Sequence, residues 1–204
     1  DMMNCQKTIL ALLVAIVAFA AVPCLAIDDN EVGIFADQGA SLTTLQSRKG
    51  QSTNEAYLIL YRPENAQGNP VTAVHTFETA IHVTATGTGS LAGVAYPVSA
   101  VDIGTGEDVL VGYNSPLMVP QDGVVILATL TFTCQQSEEM YFYLQPAAGA
   151  SSPGQIGFTS ESGGSINPTY PASGSFDDPV FTVNVATVVA EEEDTWGNVK
   201  ALFR

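Results

Sequence analysis

The chain has 204 residues, with 21 Asp and Glu against 6 Lys and Arg and a formal net charge of −15. A charge of that sign and size repels nucleic-acid phosphates and anionic lipid surfaces, which excludes a nucleic-acid partner. With 46% hydrophobic residues, the chain also has the means to bury a core and is not a solvated polyanion.

Lys7 precedes an apolar run from Ile9 to Val22, followed by Pro23, Cys24, Leu25 and Ala26. A positive start, a short apolar stretch and a small-x-small site predict a secretory signal peptide over residues 1–26, cleaved after Ala26. The run is shorter than the roughly 18 apolar residues that a membrane anchor needs, so contact with a membrane is expected only through the uncleaved leader. A lipoprotein leader would acylate Cys24, but Pro23 stands where such a signal wants a small residue. The expected location is secreted, extracellular or cell-surface. Cleavage leaves one cysteine, Cys134, so no intramolecular disulfide is available and stability must come from an ordinary core. Residues 27–189 are long enough for one such domain.

Strand patterns then follow one another: Val32–Ala36, Ala56–Tyr61, His75–Ala85, Leu91–Val98, Asp108–Tyr113, Val124–Cys134, Met140–Gln145 and Pro179–Val189, with a shorter piece at IGFTS. Gly, Pro, Asn, Asp and Ser clusters separate them, and no helical period of useful length intervenes. This spacing predicts an all-β fold, a single antiparallel sandwich. Alternation assigns faces. In Val124–Cys134 the even positions, from Val124 to Cys134, form the expected core face and Thr129, Thr131 and Thr133 face water, at least over the second half of the strand. Cys134 then reads as a small buried hydrophobe. In His75–Ala85 a regular strand puts His75, Phe77, Ile81 and Val83 inside, and His82 outside with Thr76, Glu78 and Thr84. The two histidines therefore do not share a metal site.

No GxSxG, HExxH, P-loop or dinucleotide motif occurs. The acid doublets Glu107/Asp108, Glu138/Glu139 and Asp177/Asp178 put neighbouring carboxylates on opposite sides of a strand, so none is by itself a glycosidase pair. The loop DIGTGED gathers Asp102, Glu107 and Asp108 around two glycines. Oxygen-rich loops of this kind suit calcium, the one cofactor suggested, although Gly and Asp also build plain hairpins. A weaker cation candidate is Ser175-Phe176-Asp177-Asp178. In Met140–Gln145, Tyr141 and Tyr143 share the face opposite Met140, Phe142 and Leu144. Two outward tyrosines make a strip on which a glycan can stack, and cross-strand packing accounts for them equally well.

The segment GVVILATLTFTC, entered from Pro120-Gln121-Asp122-Gly123, resembles the strand that follows a Pro/Gly turn in cohesin-like modules. AYLILYRPEN, leading to the Phe77–Val83 strand, is similar to the early strands of such modules. The resemblance spans Val32 to Ala186 and implies a jelly-roll sandwich in an extracellular setting, without carrying over dockerin binding. The stretches YFYLQPAAGASSPGQIGF and NPTYPASGSFDDPVFTVN look like segments of uncharacterised secreted bacterial proteins that end in a similar Trp-Gly-x-x-Lys tail.

Residues 190–204 depart from the strand pattern. An acidic spacer, Glu191–Asp194, leads to TWGNVKALFR, which Asp194 or Thr195 can cap as a short helix with Lys200 and Arg204 in its last turn. Trp196, Val199, Leu202 and Phe203 fall on one face of it. So short a helix needs a surface to dock on, either its own domain or a sorting or attachment machinery. The sequence thus predicts a non-catalytic binding or structural module for a protein or glycan partner outside the cytoplasm. The alternative is an extracellular glycan hydrolase with carboxylates split across loops.

Overall fold

A computed structural model describes residues 27–47 and 53–185. The expected leader over 1–26 and the tail residues Trp196, Val199, Leu202 and Phe203 lie outside the described residues. Within them there is no helix, and twelve strands join one mixed sheet. In chain order they are β1 (Glu31–Phe35), β2 (Thr44–Leu45), β3 (Thr53–Tyr61), β4 (Ala73–Ala85), β5 (Ser90–Ala95) and β6 (Ala100–Asp102). There follow β7 (Asp108–Met118), β8 (Val124–Thr133), β9 (Met140–Gln145), β10 (Ile156–Thr159), β11 (Asn167–Pro171) and β12 (Phe181–Val183). The hydrogen-bonded path runs β2-β12-β9-β4-β10-β11-β1-β3-β8-β5, with β7 on the other side of β4 and β6 beside β7.

The all-β reading holds, but the sheet is not purely antiparallel. β1 pairs with β11, and β12 with β2, in parallel. Three short strands escaped the sequence pattern. β2 and β6 are too short to show alternation, and β11 (NPTYP) carries two prolines in five residues. β12 is shorter than predicted. It stops at Asn184, whose φ of 58° is left-handed, and whose amide donates to the carbonyls of Gln135 and Glu138, both at 2.9 Å. Asn184 Oδ1 accepts from the Ser47 amide at 2.7 Å, so one side chain ties three chain segments together.

The main core forms between β1, β3 and β8 on one side and β4, β7, β9, β10 and β12 on the other. Phe132 (β8), Phe142 (β9) and Phe181 (β12) meet edge to face, with centroids 5.1, 6.2 and 5.5 Å apart. Such pairs add about 0.5–1.5 kcal/mol each beyond the burial of their surface.

β8 corrects the expected facing. Only its second half puts even residues inside: Ala128, Leu130 and Phe132 are buried, whereas in the first half Val125 and Leu127 are. The cause is a bulge. Opposite β3 the register passes from Leu58↔Ala128 to Ile59↔Ile126, so Leu127 is an extra residue and the faces swap across it. Val124 and Ile126 turn instead to a second, smaller cluster around Phe35, Ala40 and Ile59. The bulge leaves Leu127 without a partner residue on β3, and the buried Tyr113 hydroxyl donates to its carbonyl at 3.1 Å. Burial, joined by the nearby Tyr96 and Asp102, pushes the Tyr113 phenol well above its ordinary range.

A register jump also displaces the first histidine. Between Val74 and Thr76 the pairing of β4 with β7 passes from Leu117 to Gly112. Val74, not His75, therefore joins Phe77 and Ile81 in the core, and His75 is half-buried. Cys134 is 2% exposed, as its core-face position predicts. Burial and the neighbouring Glu138 raise its thiol pKa, against a hydrogen bond from Asn184.

Candidate functional site on the outer face of β9 and β4

Alternation along β9 divides its side chains cleanly. Met140, Phe142 and Leu144 are fully buried, while Tyr141 and Tyr143 stand half-exposed on the outer face. Pairing sets their neighbours. Thr44, Thr182, Tyr141 and Thr84 occupy one row across β2, β12, β9 and β4, and Tyr143 lies opposite His82 in the next row. Adjacent rows of one face are about 6.6 Å apart, since two residues of rise separate them.

The polar ends of this strip are held by carboxylates. The Tyr141 hydroxyl donates to Glu139 Oε2 at 2.8 Å, and that hydrogen bond, with burial and the Glu139 charge, raises the phenol pKa. His82 Nδ1 lies 3.0 Å from both carboxylate oxygens of Glu107, with the two side chains 40% and 55% exposed. The His82 ring is tilted 42° to that of Tyr143, at 5.9 Å between centroids. The face thus offers two phenol rings, an imidazole, two carboxylates and a run of threonine hydroxyls. Such a set stacks on and hydrogen-bonds to a flat polar ligand.

An open groove of about 230 Å³ adjoins the strip, lined by Ile27, Phe35, Ala172, Val180 and Phe181 among others, with Thr44 and Thr182 common to both. Ligand pockets usually start near 300 Å³, so the groove is a notch beside the platform and not a chamber.

The three acids of the loop between β6 and β7 take separate partners. Asp102 Oδ1 accepts from the Gly104 and Leu110 amides at 2.9 and 3.1 Å, and Oδ2 accepts from the Tyr96 hydroxyl. Glu107 turns to His82, and Asp108 Oδ1 accepts from the Ala148 amide at 3.2 Å. Gly106 takes a left-handed φ of 69°, and a Cβ on Gly104 would strike the Asp108 carbonyl, so the loop is a tight turn knotted by Asp102. Among the described residues no group of three or more His, Cys, Asp or Glu is placed to hold a metal ion. Asp177 donates its amide to Ser175 Oγ at 3.1 Å, in a turn where the Ser173 hydroxyl donates to the Ser175 and Asp178 carbonyls.

The doublets lie in turns and loops or at a strand start and not within strands, and the carboxylates of Glu138 and Glu139 part through their separate partners. Glu138 accepts from the Thr88 and Gln135 amides at 2.8 and 3.1 Å, and these bonds hold its carboxyl below the ordinary value. Its neighbour Glu139 turns to Tyr141. The sequence reading placed Tyr141, Tyr143 and His82 on outer faces but left them on separate strands. The β4–β9 register that joins them, and the reach of Glu107 onto that face, had no signal in spacing alone. Compared with known proteins, the chain matches no family model, no curated protein and no solved structure.

Proposed function

We propose that the chain is an exported binding module, a cohesin-like β-sandwich presented outside the cytoplasm, whose outer β9–β4 face binds a glycan without cleaving it. The observation that carries this reading is the partly exposed pair of Tyr143 and His82, with Glu107 on His82, beside Tyr141, Thr84 and Thr182 on one outer face. Aromatic rings supply contact area at little entropic cost, and the flanking hydroxyls and carboxylates accept and donate to sugar hydroxyls. The leader pattern over 1–26 and the strongly acidic composition support an extracellular setting.

The test is affinity electrophoresis of the purified chain through a panel of polysaccharides, with reducing-end release measured on the same polymers. The expected result is retardation by at least one polymer, its loss in Tyr143→Ala, and no release. Release of reducing ends that a single Asp or Glu substitution abolishes would instead establish the hydrolase alternative. Residues 190–204 we assign, on sequence alone, to docking or sorting. Deleting Asp194–Arg204 should then abolish surface delivery or lower the melting temperature, according to which surface the tail uses.

A further inference from the structure

The outer face of β9 and β4 carries charge as well as aromatic area, and charge selects among glycans. Arg62 is the one Lys or Arg among the described residues. It is engaged at the end of β3, paired with Asp29 at 3.3 Å and stacked over Tyr61 at 5.0 Å. All 21 acids except Asp1, Glu191, Glu192, Glu193 and Asp194 lie among the described residues, and two of them, Glu107 and Glu139, border the tyrosine strip. A uronate or sulfate bound there would meet carboxylates, with no Lys or Arg of the described residues beside them to pair it. A protonated amine would meet acceptors of opposite charge and aromatic faces that attract cations. Glu139 receives one phenol and has about four lone-pair sites, so most of its accepting capacity is free for a ligand. Glu107 is more than half exposed beside His82, which among the described residues is the one group on this face able to carry a positive charge of its own.

We infer that the ligand of this face is a glycan bearing free, protonated amino groups, an N-deacetylated hexosamine polymer in chemical terms. Tyr141 and Tyr143 stack on its rings, and Glu139 and Glu107 receive its ammonium groups. The inference rests on the glycan-binding reading of the face.

The experiment titrates the purified full-length chain with chitosan oligomers, their N-acetylated counterparts of equal length and oligogalacturonate. It is run at about pH 6, above the ordinary carboxylate range, in low and high salt. The expected result is at least tenfold tighter binding of the deacetylated oligomer, a preference that fades in high salt. Glu107→Gln combined with Glu139→Gln should erase the preference, with the circular dichroism spectrum unchanged. Equal affinity for both oligomers, lost in Tyr143→Ala, overturns the charge selection and leaves glycan binding standing. No binding of any glycan by the folded chain overturns both. An oligolysine peptide that binds as tightly as the deacetylated oligomer, and is indifferent to Tyr143→Ala, overturns the inference by making the acids a general trap for cations.

Discussion

The two faces of β9 differ by one residue in sequence and by nearly everything in environment. Phe142 meets Phe132 and Phe181 in the core with no surface left exposed, whereas Tyr141 and Tyr143 keep part of their rings in water and their polar neighbours are a histidine and two carboxylates. If the outer face binds as proposed, stability and recognition are written on alternate residues of one strand, and each should be removable without the other.

Truncation on the inner face is the strongest way to break that division. Phe142→Ala should cost about 3–5 kcal/mol, because it empties the centre of the aromatic cluster. Chemical denaturation measures it, and a loss below 1 kcal/mol would show that β9 does not anchor the core. Tyr113→Phe should cost about 1–3 kcal/mol, since it removes the buried hydroxyl that donates to the Leu127 carbonyl at the bulge. The matching measurement is the denaturation midpoint at constant slope; an unchanged midpoint would mean that the bulge carbonyl finds another partner.

Asp37 supplies a smaller effect, read through pH. Burial pushes its carboxyl up, but donation from Leu42, Ser41 and Gly39 outweighs this and holds it below 3.8. A depressed folded-state value means that the unfolded chain binds the proton more readily. The contribution is thus complete above the unfolded value and is lost as pH falls through the folded one. Asp37→Asn should lower stability by about 1 kcal/mol at neutral pH through lost hydrogen bonds, and flatten the decline below about pH 4. Melting curves of both proteins across that range check it; parallel curves would remove Asp37 from the acid response. The smallest expected change is in the stability of Tyr143→Ala, under about 1 kcal/mol, alongside its loss of glycan retardation. A large drop in melting temperature for that variant would make Tyr143 a packing residue and dissolve the contrast between the faces.

The long strands were legible because alternation over six or more residues leaves little freedom. β9 matches its predicted span, Met140–Gln145, and the outward placement of Tyr141, Tyr143 and His82 followed from the same count. Where the count failed, a break in the ladder register was responsible. Leu127 reverses the faces of β8, and the jump beside His75 gives the core to Val74. A bulge leaves the composition of a strand unchanged while inverting its geometry, so pattern reading carries the wrong face past it. The acids of DIGTGED show a different limit of the sequence. They are close in sequence, but Asp102 is consumed by its own turn and Glu107 by a strand far away in sequence. Proximity along the chain says little about where a loop side chain aims.

The borders of the sheet carry a consequence for life at high density. β2 has two residues and β6 three, and β5, which among the described residues pairs only with β8, is broken by an extra residue between Leu91 and Gly93. None of them offers a long, flat row of free amides and carbonyls to a neighbouring copy. Mutual repulsion between acidic surfaces works in the same direction. Copies of the described domain can therefore crowd at high concentration with little tendency to join edge to edge into fibrils.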